Sequence, residues 1–336
     1  MEYHLEAEVV PPQEFPELDE LQRHGVAALL DEQLDLLAGI EGPDGMEIEP
    51  LDHRVTARSV GASITWIVEA PALLFAEEAA RHVLNELLER TELLSDWAVG
   101  RCEVTVSDDE LATALAEPED DAVDAETAGE DGDARRAHLI DGGERLRAFG
   151  ADAFGADDGG GVAGGVDAEA ALLVAGALVE AASMITEELF QDARTLDDTE
   201  ETAAERDDLW VLPELPERFS AHYTARFAKR FLVVTTILGH RLARPEWTPP
   251  RCTAESLALH LVKSRAMQLL QLDDLLDDET IKRAFVAFDE HAFAGLDHES
   301  LYERANAADD DPAATAEVAG WFHPLDHVLI DPGDQL

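Results

Sequence analysis

The 336-residue chain carries 74 Asp and Glu against 24 Lys and Arg, a net charge of −50. Its hydrophobic fraction of 46% is ordinary for a globular protein, which argues against wholesale disorder. The length allows about two domains.

Residues 1–116 predict an α+β domain. Tyr3, Leu5, Ala7 and Val9 alternate with His4, Glu6 and Glu8 at strand period. Residues 17–39 place Leu18, Leu21, Leu29 and Leu36 at helical spacing. Residues 46–59 and 62–70 are β-rich and divided at Gly61, the pattern of a hairpin. Residues 72–91 carry the stripe Leu73, Ala76, Ala80, Val83, Leu84, Leu87, Leu88 of an amphipathic helix. Trp97 to Val106 alternates again, and Ser107 with Glu110 matches a capping box opening a short helix to about Ala116. The order β-α-β-β-α-β predicts a ferredoxin-like arrangement. Its free sheet face would show His4, Glu6, Glu8, Thr65, Glu69, Arg101 and Glu103. That face is too carboxylate-rich to meet a phosphate backbone, so an RNA-recognition module is rejected, and a regulatory or assembly domain with edges open to pairing is expected.

Residues 117–165 are acidic and hold 11 of the 22 glycines, between Gly129 and Gly165. Such a segment offers little apolar surface against its ordering entropy and predicts a flexible linker. Residues 166–336 predict an all-α domain. A long Ala-rich helix spans 167–195, an acidic connection covers 197–208, and Pro216 opens a helix to about Leu242. Thr253 caps a third helix through about Leu272, and Asp278 caps a fourth with Ile281, Phe285 and Phe288 on one side. A short helix is expected after Asp297, a last one at Asp311 and Pro312, and an extended C-terminal end.

The cations comprise 21 Arg and only Lys229, Lys263 and Lys282 as lysines. Excess carboxylate spread along the chain, with lysine nearly eliminated, resembles the cytosolic proteins of salt-loving archaea. In molar salt the Debye length falls to about 3 Å, which screens such self-repulsion. Cys102 and Cys252 belong to no CxxC pair and are expected as separate buried thiols. The N-terminal residues have no basic region followed by a long apolar run, so a cytoplasmic protein without a membrane span is expected.

Residues 209–272 break the charge rule. They hold nine cations and four acids, a net +5, while the remainder totals −55. On a helix from Pro216, Phe219, Tyr223, Phe227, Phe231, Val234 and Leu238 share one arc. Arg218, His222, Arg226 and Lys229 share the neighbouring arc, with Arg230 at the boundary and Arg241 and Arg244 further along. Three readings compete. The cations pair internally with the acidic helices; they bind an anion or DNA, which the overall negative field disfavours; or they dock a protein partner or a second copy. A weaker pattern, His291, His298, His323 and His327 among carboxylates, would suit a metal-dependent enzyme, although Pro324 breaks the only i, i+4 pair. No phosphate loop or nucleophile elbow occurs, and no cofactor is implied. The expectation is a non-enzymatic interaction or assembly protein of a halophilic archaeon that binds through the 209–272 segment.

Overall fold

The computed structural model describes residues 1–12, 17–37, 39–41, 47–105, 130–156, 166–199, 201–293 and 318–325. The chain forms two compact units, Met1–Ser107 with Phe322–Leu336, and Asp108–Trp321. It is a mixed α+β molecule, with an antiparallel sheet in the first unit and mostly helices in the second.

In the sheet unit, strand β1 (Glu2–Val10) alternates as expected: Tyr3, Leu5, Ala7 and Val9 are buried, and Glu2, Glu6 and Glu8 are exposed. Helix α1 (Glu20–Asp35) starts at a complete capping box. Asp19 Oδ1 accepts from Gln22 N at 2.8 Å, and Gln22 Oε1 accepts from Asp19 N at 2.9 Å. Its buried face is Val26, Leu30 and Leu34, an i, i+4, i+8 series. Of the expected leucine stripe, Leu18 is buried, but Leu21 and Leu36 lie in solvent. Several leucines on one short helix fit more than one stripe, and packing chose the other.

A two-residue strand β2 (Ile40–Glu41) precedes β3 (Glu47–Arg58) and β4 (Gly61–Glu69). The β3–β4 hairpin turns through Ser59 and Val60 into Gly61, whose φ of +141° favours glycine. A Cβ at Gly61 would also strike the Val9 carbonyl. Helix α2 (Leu73–Arg90) and edge strand β5 (Ala98–Thr105) follow. All pairings are antiparallel, in the order β2-β3-β4-β1-β5. Helix α1 packs on β3, and α2 packs on β5 and β1. Leu5, Ile64, Trp66, Val68 and Cys102 fill the core. On the opposite face Glu6 stands across from Thr65 and Glu103, so polar cross-strand rows cover it. The expected helix after Ser107 lies outside the described residues.

Helix α2 also closes the β5 edge. Buried Glu77 accepts the Val104 backbone N–H at 3.2 Å, and Arg81 donates to the carbonyls of Gly100 (3.3 Å) and Cys102 (3.5 Å). Edge backbone groups of β5 that another strand would use are thus held by side chains, so at this edge the expected opening to pairing is filled.

In the helical unit, α3 (Glu130–Gly143), α4 (Ala168–Thr199), α5 (Ala225–Leu242), α6 (Thr253–Leu272) and α7 (Asp278–Ala292) surround α4, against which the other four pack. Part of the expected linker is therefore ordered. Leu139, Leu146, Ala153 and Phe154 are buried within residues 130–156. Gly143, one of the glycines that suggested flexibility here, permits close approach, since a Cβ on it would collide with the Leu172 carbonyl; on the facing helix α4, a Cβ on Gly176 would collide with the Leu139 carbonyl. Arg135 pins α3 through Glu180 (2.6 Å) and Asp273 (2.8 Å), and Arg136 through Glu169 (2.7 Å). Residues 117–129 and 157–165 lie outside the described residues.

The expected helix from Pro216 to Leu242 is two pieces, a 3-10 segment Glu217–His222 and then α5. The Tyr223 hydroxyl donates to the Pro216 carbonyl at 2.8 Å, and Thr224 restarts the helix by accepting from Phe227 N at 3.3 Å. The aromatic arc is nonetheless core, with Trp321 packed against Phe219, Tyr223 and Phe227. Cys252 and Asp277, each one residue before the expected cap, stand at the N-caps of α6 and α7. Helix α4 is long and apolar enough by composition to cross a membrane, but it is the central packed helix of this unit and mostly buried. The helices expected after Asp297 and at Pro312 lie outside the described residues.

Candidate functional site

The basic segment is largely turned inward. Lys229 Nζ lies 2.7 Å from Asp197, Lys263 Nζ reaches both Asp289 oxygens at 2.9 and 2.8 Å, and Arg265 joins Glu188 (3.0 Å) to Glu214 (2.6 Å). Arg241, 7% exposed, pairs with buried Glu255 at 2.6 Å. It also donates to the Thr248 and Pro249 carbonyls and lies 5.1 Å from the Trp247 ring centre. The Arg218 guanidinium lies 4.0 Å from the ring centre of Phe219. His222 and Arg230 are half-buried, whereas Arg226 and Arg244 are exposed. The break at Tyr223 and Thr224 puts Arg218 and His222 on a separate segment from Arg226, Lys229 and Arg230, so the continuous basic arc does not form.

A different cationic group gathers where α5 ends. The Leu242 carbonyl accepts the backbone N–H of Arg147 (3.0 Å) and of Ala148 (3.1 Å), which docks the segment after α3 against this end. Arg145, Arg147 and Arg244 are exposed there, and none forms an ion pair with a described residue. Helix C-termini draw cations through their dipole, about 0.3–1 kcal/mol each at the surface, which accounts for the sign of the charge. Exposed Glu144 and Glu246 are close by in sequence, but neither forms an ion pair with these arginines among the described residues. Arg145 and Arg147 escape sequence reading because they lie inside the segment that composition marks as linker.

Beside this group a cavity of about 80 Å³ opens between α4 and α5. Helix α4 contributes Ala182, Ser183 and Thr186, and α5 contributes Thr236, Gly239 and His240. Val179, Leu242 and Ala243 add apolar wall, and Arg145 also lines it. Ser183 donates its hydroxyl to the Val179 carbonyl (3.3 Å), Thr186 to Ala182 (2.8 Å) and Thr236 to Leu232 (2.9 Å). Their oxygens can therefore only accept further bonds. His240 Nε2 is buried and has no hydrogen-bond partner among the described residues.

The other chemistry-bearing groups act structurally. Asp192 is fully buried and accepts the backbone N–H groups of Trp210 (2.8 Å), Val211 (2.9 Å) and Leu212 (3.0 Å). Desolvation pushes its carboxyl above the ordinary range although the three amides pull it down. Burial likewise pushes the Cys252 thiol far above its usual value, with the nearby Glu255 charge adding to the rise, which makes it a poor nucleophile. His291 Nδ1 lies 2.9 Å from the Ala287 carbonyl, and His323 stands edge-on to Phe75. His298 and His327 lie outside the described residues. Among the described residues no three His, Cys, Asp or Glu side chains are grouped to hold a metal. No protein-family model, no curated protein and no solved structure matches the chain.

Proposed function

We propose that the chain is a non-enzymatic interaction protein of a salt-rich cytoplasm, and that its helical unit docks an acidic protein surface, a second copy of itself included, through the arginines at the end of α5. The observation that carries this reading is the group Arg145, Arg147 and Arg244, exposed and without carboxylate partners among the described residues. Arginine forks suit carboxylate geometry, and acidic surface is what such a protein meets most often. The internal pairing of Lys229, Arg241, Lys263 and Arg265 removes much of the footprint that DNA association would need. The same pairing moves the proposed docking face from the 209–272 segment as a whole to the end of α5.

The strand order supports a ferredoxin-like reading of the sheet unit. Apart from the two-residue β2, its strands run second, third, first, fourth and antiparallel, with helices after the first and third. The polar face of that sheet leaves the helical unit as the better docking element.

Sedimentation of the full chain in concentrated potassium chloride tests the proposal. Reversible self-association, lost in the double variant R147E/R244E, is expected. A parent protein that stays monomeric and is not retained by immobilised polyglutamate overturns it.

A further inference from the structure

We infer that the cavity between α4 and α5 is a binding site for a small aliphatic carboxylate. This goes beyond the docking reading and shares only Arg145 with it, because neither Arg147 nor Arg244 lines the cavity. Its volume of about 80 Å³ is that of roughly five to eight water-sized spheres, which suits an acid of about three or four carbons.

The polar groups are arranged unevenly. Thr186 and Thr236, both buried, have spent their hydroxyl protons on their own helices, so they present lone pairs and repel an anion. Ser183 is committed in the same way. The donors belong to two other residues. Arg145 brings an exposed guanidinium, and His240 brings a buried Nε2 with no partner among the described residues. With its proton on Nε2, His240 donates into the cavity, and a buried donor left unmatched is costly. A carboxylate oxygen satisfies it, and the second oxygen meets Arg145 in a charge-assisted bond. The stem of the acid then lies against Val179, Ala182 and Leu242, away from the lone pairs. A water cluster would match the hydroxyl oxygens and hydrate the guanidinium, but it brings no negative charge to the Arg145 cation.

Saturation-transfer NMR on the full chain in concentrated potassium chloride, with propionate as the probe, tests this. The parent should give a saturable signal that chloride does not abolish. Arg145→Gln and His240→Phe should each weaken propionate about tenfold, the scale of one charge-assisted hydrogen bond. Ser183→Leu, which fills the cavity, should abolish binding, while R147E/R244E should leave it unchanged. Absence of saturable binding by the parent overturns the inference, as does undiminished binding by Ser183→Leu. If Ser183→Leu does not fold, Arg145→Gln decides, since its side chain is exposed and an unchanged affinity for propionate overturns the site.

Discussion

Removing the Glu255 carboxylate would strand Arg241. The pair is nearly inaccessible, and Glu255 also accepts the Arg251 backbone N–H at 2.8 Å. Breaking a buried pair from one side leaves an uncompensated charge, so Glu255→Ala should lose about 3–5 kcal/mol of stability, read as a shift in the urea midpoint at constant salt. Asp277 makes the opposite kind of contribution. Its carboxylate accepts from Thr280 Oγ1 (2.7 Å) and Thr280 N (3.0 Å), which hold it below its ordinary 3.8. A depressed carboxylate stabilises the fold above its unfolded value and loses that contribution as pH falls through the folded one. The start of α7 should therefore fray on acidification below about pH 4, seen as faster hydrogen exchange at the Thr280 amide, and Asp277→Ala should remove that pH dependence. Neither residue stood out in the sequence. Glu255 was one of four acids in a basic stretch, and its partner became evident only when α5 and α6 were packed.

Besides its ion pairs, the α3–α4 contact brings backbone against backbone at Gly176. Gly176→Ala would force the Leu139 carbonyl away, so α3 should lose its seat while α4 keeps its helix. Proteolysis within 130–143, much faster than in the parent, checks this. In the sheet unit, Glu77 and Arg81 occupy the outer backbone groups of β5. Glu77→Ala in the R147E/R244E background should uncover the Val104 N–H and produce concentration-dependent association by light scattering, since an open edge is a template for another strand. The strands and most helices were legible because period 2 and period 3.6 repeat across several turns in each. Two elements were not. The α1 stripe was ambiguous because its leucines fit two faces, and the break before α5 was hidden because the aromatic spacing continues through it while Tyr223 and Thr224 make local bonds that end one helix and start another.

For the whole molecule, charge is the first term. Fifty net negative charges repel one another across any folded shape, and the repulsion weakens as the Debye length shrinks. Tm by circular dichroism should rise steeply with potassium chloride up to about molar concentration, where that length is about 3 Å, and a flat profile would remove the salt-adapted reading. What the sequence by itself determined was this electrostatic character, the division into an α+β part and a helical part, and the inward face of most elements. These follow from composition and local period, which each stretch of chain carries alone. Only the tertiary structure decided which cations are already neutralised, that residues 130–156 belong to the helical unit, and that Arg145 and His240 line one cavity. Those depend on side chains from 14 to 138 residues apart in the chain, and whether an arginine is partnered or free is a property of the carboxylates that folding brings to it.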